Sequence, residues 1–183
     1  MSRVLVPLAE GFEELEAVTV IDLLRRAGIE VVSAGLAPGP VSASRGTVIV
    51  PDTTLDAVLA EDFDMVVLPG GGPGAGRLAR DARIRALLVR MEGAGREIAA
   101  ICAAPRVLAE AGLLAGRRAT AFPGSLDGVE VPGLDYREEP VVVDGRITTS
   151  RGPGTAMGFA LTLVERLAGR EVRERVAGEL QRP

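Results

Sequence analysis

Short aliphatic runs that end in turn residues alternate along this chain with segments of helical periodicity. RVLVPLA (3–9), EVVSAGL (30–36), DMVVL (64–68) and EIAAIC (97–102) predict strands, and EELEAVTVIDLLRRAG (13–28) predicts a helix. Strands that are apolar throughout are typical of parallel sheets buried on both faces, and each pair needs a crossover helix. The pattern predicts a doubly wound α/β domain in which helices cover both faces of a mostly parallel sheet.

The remaining segments fit one domain over residues 1–183, without an internal repeat or a linker. Residues 118–140 predict short strands mixed with loop. The other predicted elements are a β excursion with a turn at Arg45–Gly46 (41–52), a hairpin on Asp144–Gly145 (138–150), and helices over 82–95, 104–116, 154–169 and 170–181.

Missing residue types exclude several kinds of chemistry. The 183 residues include no histidine, no lysine and one cysteine. Zinc sites made of His and Cys, and Ser-His-Asp or Cys-His catalysis, are therefore excluded. Schiff-base enzymes, lysine-anchored pyridoxal enzymes and P-loop hydrolases are excluded as well, because each needs a lysine. We expect no metal and no cofactor.

Charge and hydropathy restrict the partners and the location. The formal net charge is −4 and the arginines are scattered, so we expect no nucleic acid partner. No apolar run approaches the roughly 20 residues that span a bilayer. The N-terminus becomes acidic too early for a secretory signal, so we predict a cytoplasmic protein with no membrane partner.

The glycine-rich stretch PGGGPGAG (69–76) has three interpretations. Gly70, Gly72 and Ala75 fit a relaxed dinucleotide-binding spacing, but the acidic residue about 20 positions on, Glu92, falls in a predicted helix. The stretch could instead be a tight turn that needs positive φ angles. A nest of backbone N–H groups around a small anion or oxyanion is the interpretation that so many adjacent glycines favour.

The single cysteine occurs in AAICAAPRVL (99–108), where a predicted strand ends and Pro105 marks a helix start. A free cysteine is usually a small core hydrophobe. Cys102, however, falls on a strand-to-helix elbow at the carboxyl edge of the sheet, where open α/β sheets place their sites. This position favours a reactive cysteine, and the helix start predicts a thiol pKa below the usual value of about 8.5.

A thiolate without histidine needs another proton carrier, and EGFEELE (10–16) supplies candidates at the same sheet edge. Glu13 and Glu16 share one helix face, and Glu14 points elsewhere. These glutamates could simply complement the helix dipole. Alternatively, one of them faces Cys102 and stays protonated by burial.

Four stretches together give the chain a recognisable resemblance. LAEGFEELEAVTVIDLLRRAGIEV, DMVVLPGGGPGAGRL, IAAICAAP and TSRGPGTAMGFAL occur in this order between residues 8 and 161, so the match extends over nearly the whole chain. They resemble the DJ-1/ThiJ/PfpI superfamily, in the branch of the parkinsonism-associated protein deglycase and its bacterial relatives. The resemblance implies a flavodoxin-like three-layer sandwich and a homodimer.

The resemblance also implies roles for individual residues. Cys102 matches the family's oxidation-sensitive nucleophile, and Glu16 matches the glutamate that hydrogen-bonds it and relays protons. Gly71 and the N–H of Ala103 match oxyanion-binding amides. The other residues that the resemblance places at the pocket are Gly70, Arg45, Phe122, Ser150, Arg151 and Gly152, and it places Arg26 at the dimer interface.

Two positions depart from the family pattern. The usual ICAGP is ICAAP here, so Ala104 replaces a glycine and we expect a slightly tighter elbow. Phe122 stands near the position where the best-known animal member has a histidine, which removes a third proton-transfer group. Neither departure changes the roles that the resemblance implies for Cys102 and Glu16.

The resemblance implies a cofactor-independent cysteine enzyme that acts on reactive dicarbonyls. It would be a glyoxalase III-like enzyme that converts methylglyoxal to lactate, a deglycase of glycated protein or nucleotide, or both. The alternative is an oxidative-stress redox sensor or holdase chaperone, in which Cys102 is oxidised without turnover. Peptidase activity fits poorly because histidine is absent.

Overall fold

A seven-stranded sheet forms the centre of the protein in the computed structural model, which describes residues 1–181. Neighbouring strands run parallel, except for one antiparallel hairpin at an edge. Side by side, the strands are β10 (Val141–Asp144), β11 (Ile147–Ser150), β7 (Glu97–Ile101), β6 (Met65–Leu68), β1 (Arg3–Leu8), β2 (Glu30–Gly35) and β5 (Thr53–Thr54).

Helices cover both faces of this sheet. One face carries α1 (Glu14–Arg26), α6 (Ala156–Ala168) and α7 (Arg170–Glu179), and the other carries α2 (Leu55–Val58), α3 (Gly72–Arg80), α4 (Ala82–Gly93) and α5 (Pro105–Glu110). Because strand side chains alternate, Val4, Val6 and Leu8 pack in the first layer and Leu5 packs in the second. The predicted doubly wound, flavodoxin-like sandwich is confirmed. Within residues 1–181, no helix combines the length and apolar character that crossing a membrane requires.

Two small sheets of two strands each, separate from the central sheet, follow the predicted pattern. β3 (Val41–Ser42) and β4 (Val48–Ile49) form an antiparallel pair with its turn at residues 44–46, as 41–52 predicted. β8 (Arg118–Ala119) and β9 (Asp135–Tyr136) pair within the segment that predicted short strands and loop.

The helix layer departs from the prediction in two places. The glycine-rich stretch does not stay a turn, because α3 begins at Gly72 with Pro73 in its first turn, where proline fits a helix well. Its glycines permit close packing: a Cβ at Gly74 would lie 2.7 Å from the Cα of Phe12. α5 ends at Glu110 rather than Gly116, because Gly112 adopts a left-handed conformation with φ +79° that stops the helix.

Candidate active site

Cys102 lies on a strained elbow directly after β7. Its φ is +64°, which is unusual for a residue with a side chain, and its surroundings hold it there. The Cys102 N–H donates to the carbonyl of Ser150 (2.9 Å), and the Cys102 carbonyl accepts the N–H of Phe122 (2.8 Å). The substituted Ala104 has an ordinary helical φ of −71°, so the alanine needs no glycine conformation at this point.

Glu16 lies beneath the elbow in the first turn of α1 and is fully buried. The carboxylate of Glu13 accepts the N–H of Glu16 (3.0 Å), which caps the helix and fixes this turn. Oε2 of Glu16 accepts the N–H of Gly70 (2.8 Å), whereas Oε1 has no hydrogen-bond partner in the described part of the chain. The carboxylate lies close enough to the Cys102 thiol for each group to change the pKa of the other.

Burial is the largest influence on both ionisable groups. It raises the pKa of the Glu16 carboxyl to about 7. Burial and then the negative charge of Glu16 raise the pKa of the Cys102 thiol to about 12, against the smaller opposing effect of the Gly71 and Ala103 N–H groups. The sequence-based expectation of a lowered thiol pKa is therefore wrong, since burial alone acts to raise it. A helix of six residues, α5, does not outweigh desolvation and a neighbouring carboxylate. A thiolate at Cys102 consequently requires that the proton stay on Glu16.

The glycine turn fits tightly around this pair. A Cβ at Gly71, whose φ is +85°, would lie 2.3 Å from the carbonyl oxygen of Gly11, so only glycine is accommodated there. The N–H groups of Gly71 and Ala103 both lower the pKa of the Cys102 thiol, which supports the nest interpretation. The N–H of Gly70, in contrast, is occupied by Glu16 and is not an oxyanion donor.

A cavity of about 760 Å³ opens above the elbow. Of the residues predicted for the pocket, Cys102, Gly71, Ala103, Arg45 and Phe122 line it. Sequence reasoning missed Glu13 as a wall residue, together with Arg80, Arg106, Glu110, Ser125 and Pro153. The signal for Arg106 was present, because it follows Pro105 at the start of the elbow's helix. Arg80 had no such signal, because it is the last residue of α3, a helix that its glycine-rich sequence does not predict.

Besides Gly70, three residues predicted around the pocket do not belong to its described wall. Ser150 is fully buried and supports the elbow through its carbonyl, while its hydroxyl donates to the carbonyl of Pro140 (2.8 Å). Arg151 donates to the carbonyl of Glu138 (3.1 Å) and lines a neighbouring cavity of about 480 Å³. Gly152 is buried behind the ring of Phe122. Ser150 therefore supports the elbow, Gly152 packs against Phe122, and Arg151 belongs to the neighbouring cavity.

Glu14 does point away from Cys102, but it shapes the cavity through another segment. Its carboxylate accepts the N–H of Arg45 (3.0 Å) and of Thr47 (3.4 Å) and the hydroxyl of Ser44 (3.2 Å). Desolvation acts to raise the pKa of Glu14, yet backbone hydrogen bonds outweigh it and lower the pKa. Glu14 therefore anchors the turn that carries Arg45 to the cavity wall.

Known proteins resemble this chain over nearly its whole length, in sequence and in fold. The model of the DJ-1/PfpI family matches residues 2–166. Protein dj-1beta of Drosophila melanogaster is 47% identical over 175 residues, which cover 94% of this chain and 93% of that protein. The glutathione-independent glyoxalase DJR-1.2 of Caenorhabditis elegans is 41% identical over 162 residues, covering 88% of this chain and 86% of that protein. The structure of oxidized Toxoplasma gondii DJ-1 superposes with a TM-score of 0.92 at 41% identity and covers 98% of each chain.

Proposed function

This chain belongs to the DJ-1/PfpI family, and from that premise we propose that it is a cofactor-independent cysteine enzyme acting on reactive dicarbonyls. Free methylglyoxal and early glycation adducts are its candidate substrates. The observation that carries the proposal is the Cys102–Glu16 pair, in which one thiol and one fully buried carboxyl share a site with two backbone N–H groups. A relative that carries the name of a glutathione-independent glyoxalase supports it.

The proposed chemistry uses groups that this chain supplies. The Cys102 sulfur adds to the aldehyde carbon and forms a hemithioacetal, whose developing oxyanion is held by the N–H groups of Gly71 and Ala103. Glu16 takes the proton from the former aldehyde carbon and returns it to the adjacent carbon, which gives a thioester of lactate. Water hydrolyses the thioester and releases lactate and the free thiol. The sum is methylglyoxal plus water to lactic acid, without an external oxidant or reductant.

Cys102→Ser should lower lactate formation from methylglyoxal to the buffer rate, because a serine hydroxyl without a strong base is not a comparable nucleophile. The measurement is enzymatic detection of lactate with purified wild type and variant at equal concentration. Circular dichroism should give matching spectra, since serine and cysteine have similar volumes. No lactate above buffer from either protein would show that free dicarbonyls are not substrates.

Redox sensing is the second candidate, and the accessibility of the thiol favours it. Cys102 is 7% exposed at the base of an open cavity, so peroxide can reach the sulfur. Peroxide would oxidise the thiolate to a sulfenate and then to a sulfinate, whose oxygens the Gly71 and Ala103 N–H groups could hold. Peroxide-driven oxidation without any dicarbonyl turnover would select this function over the enzyme.

We also propose a homodimer, supported by an exposed apolar surface on α1. Leu15 is 51% exposed and Val18 is 48% exposed, three residues apart on one helix face. Val48, Val50 and Met157 add exposed apolar side chains. Such a patch typically marks an interaction surface.

Sedimentation at micromolar concentration should give twice the 19.0 kDa of one chain. Val18→Glu should shift the protein toward monomer, because a charge would be buried in the interface. Val89→Glu is the matched control, since Val89 is 53% exposed on α4, across the sheet. A wild-type protein that sediments only as a monomer would refute the dimer.

A further inference from the structure

The cavity above Cys102 is much larger than a three-carbon dicarbonyl requires. Its volume of about 760 Å³ is in the range that holds a ligand of many heavy atoms. Methylglyoxal would fill only the base of it, next to the thiol. The remaining volume is available for a longer carbon chain on the substrate.

Three arginines from separate elements line that volume. Arg45 comes from the turn between β3 and β4, Arg80 from the last position of α3, and Arg106 from the first turn of α5. Arginines from distant parts of a sequence that meet in one cavity are suited to bind a carboxylate or phosphate through paired N–H donors.

One of these three arginines, Arg106, is paired with a carboxylate of the wall, and the other two are not. Glu13 accepts the N–H of Glu16 as a helix cap. Glu110 pairs with Arg106 at 2.8 Å, on the outer turn of α5. Within residues 1–181, neither Arg45 nor Arg80 forms an ion pair. The cavity wall therefore contains two arginines without an ion-pair partner among residues 1–181, in a chain whose formal net charge is −4.

The side chain of Arg80 lies near a glycine of its own helix. Nη1 of Arg80 would lie 3.5 Å from a Cβ at Gly76, so the guanidinium folds back over the position that lacks a side chain. Gly76 itself lines the cavity, which means that the guanidinium lies toward the cavity rather than over the outer surface of α3.

We propose that the substrate carries an anionic group, a carboxylate or a phosphate, on the carbon chain remote from its dicarbonyl, and that Arg80, Arg106 and Arg45 bind this group. The inference rests on the proposed function and adds the substrate class. The chemistry is unchanged: the 2-oxoaldehyde and one water give a 2-hydroxy acid, while the remote anion stays intact.

A matched pair of substrates tests the proposal. 4,5-Dioxovalerate is a 2-oxoaldehyde with a remote carboxylate, and its methyl ester is a close neutral counterpart. Wild type should turn over the acid with at least about fivefold higher kcat/KM than the ester, with 2-hydroxyglutarate or its ester as product. The ratio should fall as ionic strength rises, because exposed charges are screened by salt. Hydroxypyruvaldehyde and its phosphate ester form the corresponding pair for a phosphate.

Variants assign the effect to residues. Arg80→Gln and Arg106→Gln should each lower the acid-to-ester ratio about threefold or more, and Glu110→Gln should raise it by freeing Arg106. Arg170→Gln removes the same charge from α7, where Arg170 pairs with Glu174, and should leave the ratio unchanged.

The outcomes separate this inference from the proposed function. Equal turnover of charged and neutral members in both pairs would overturn the anionic substrate while keeping the enzyme. A preference for only the carboxylate or only the phosphate would identify the anion. A ratio that falls equally in Arg170→Gln would assign the effect to overall charge and contradict a role of the cavity. No turnover of any of the four compounds would instead count against the dicarbonyl enzyme itself.

Discussion

Glu16→Gln should abolish turnover of methylglyoxal while Cys102 still reacts with iodoacetamide and is still oxidised by peroxide. Glutamine can accept the N–H of Gly70 as the glutamate does, but it cannot take up and return a proton. Loss of a positioned general acid–base group costs roughly 100-fold to 10,000-fold in rate. Lactate formation and the rate of thiol alkylation, measured on the same preparation, test the two halves of the prediction.

The pH dependence should change with the same substitution. The active pair holds one proton, so wild-type kcat/KM should rise as the pair loses its first proton near the pKa of about 7 that burial gives Glu16. In Glu16→Gln that rise should disappear from any residual activity. Because the carboxylate is gone, one of the influences that raise the pKa of Cys102 is removed, and alkylation should proceed at lower pH.

Glu16→Gln should change the free energy of unfolding in the opposite direction from activity at high pH. The pKa of Glu16 is higher in the folded protein than its ordinary value of 4.5, so the folded state holds this proton more firmly than the unfolded state. That contribution is fully present below pH 4.5 and is lost as the pH rises through about 7. At pH 8, Glu16→Gln should therefore raise the free energy of unfolding, by up to about 3 kcal/mol.

This combination of results separates loss of chemistry from loss of fold. Glu165→Gln, on α6 beside Arg173, removes a carboxylate from the surface and serves as the charge control. Full dicarbonyl activity in Glu16→Gln would contradict the mechanism and favour the redox sensor. A Cys102 that no longer reacts in that variant would mean that Glu16 mainly shapes the elbow.

The central pair could be predicted because it depends on strand order and on elements with strong sequence signals. Cys102 follows one buried strand, and Glu16 begins the helix after another. Parallel strands bring their carboxyl ends to one edge, which predicted that Cys102 and the glutamates at the start of the first helix share that edge, and the family resemblance selected Glu16 among them. The pattern of apolar strands therefore predicted both the fold and the edge of the sheet at which the site lies.

The walls of the cavity depend on contacts that sequence patterns do not encode. The stretch 69–76 predicted a turn because glycine and proline are poor helix formers, yet α3 begins at Gly72 and packs its Gly74 closely against Phe12. Arg80 was missed for that reason. Ser150 lies next to the elbow in space, but whether its side chain points inward or toward the cavity is set by the local backbone.

Gly70→Ala should damage the enzyme severely, because the added methyl group would strike both members of the pair. A Cβ at Gly70 would lie 2.5 Å from the Cβ of Cys102 and 2.6 Å from Oε2 of Glu16. The carbonyl oxygen of Ile101 would lie 2.9 Å away. None of these atoms can yield easily, since Glu16 is fully buried and the elbow is held from both sides. The φ of Gly70 is not in the left-handed region, so the effect is steric contact rather than backbone strain.

We expect kcat/KM for methylglyoxal to fall at least about 100-fold in Gly70→Ala, since displacement of a catalytic group by about 1 Å has effects of that size. Overpacking at this buried position should also lower the free energy of unfolding by about 1 to 3 kcal/mol. Activity is assayed at a temperature where the variant is folded. Thermal unfolding measures the effect on stability separately.

Gly72→Ala is the matched control, two residues further along the glycine-rich stretch. A Cβ at Gly72 would have no heavy atom within 4 Å, and the position starts α3, where alanine is at least as favourable as glycine. We expect this variant to keep kcat/KM within about threefold of wild type and to be no less stable. If Gly70→Ala behaved like Gly72→Ala, the turn would have room to move away from Cys102. The spacing of thiol and carboxyl would then not depend on the absence of a side chain at Gly70.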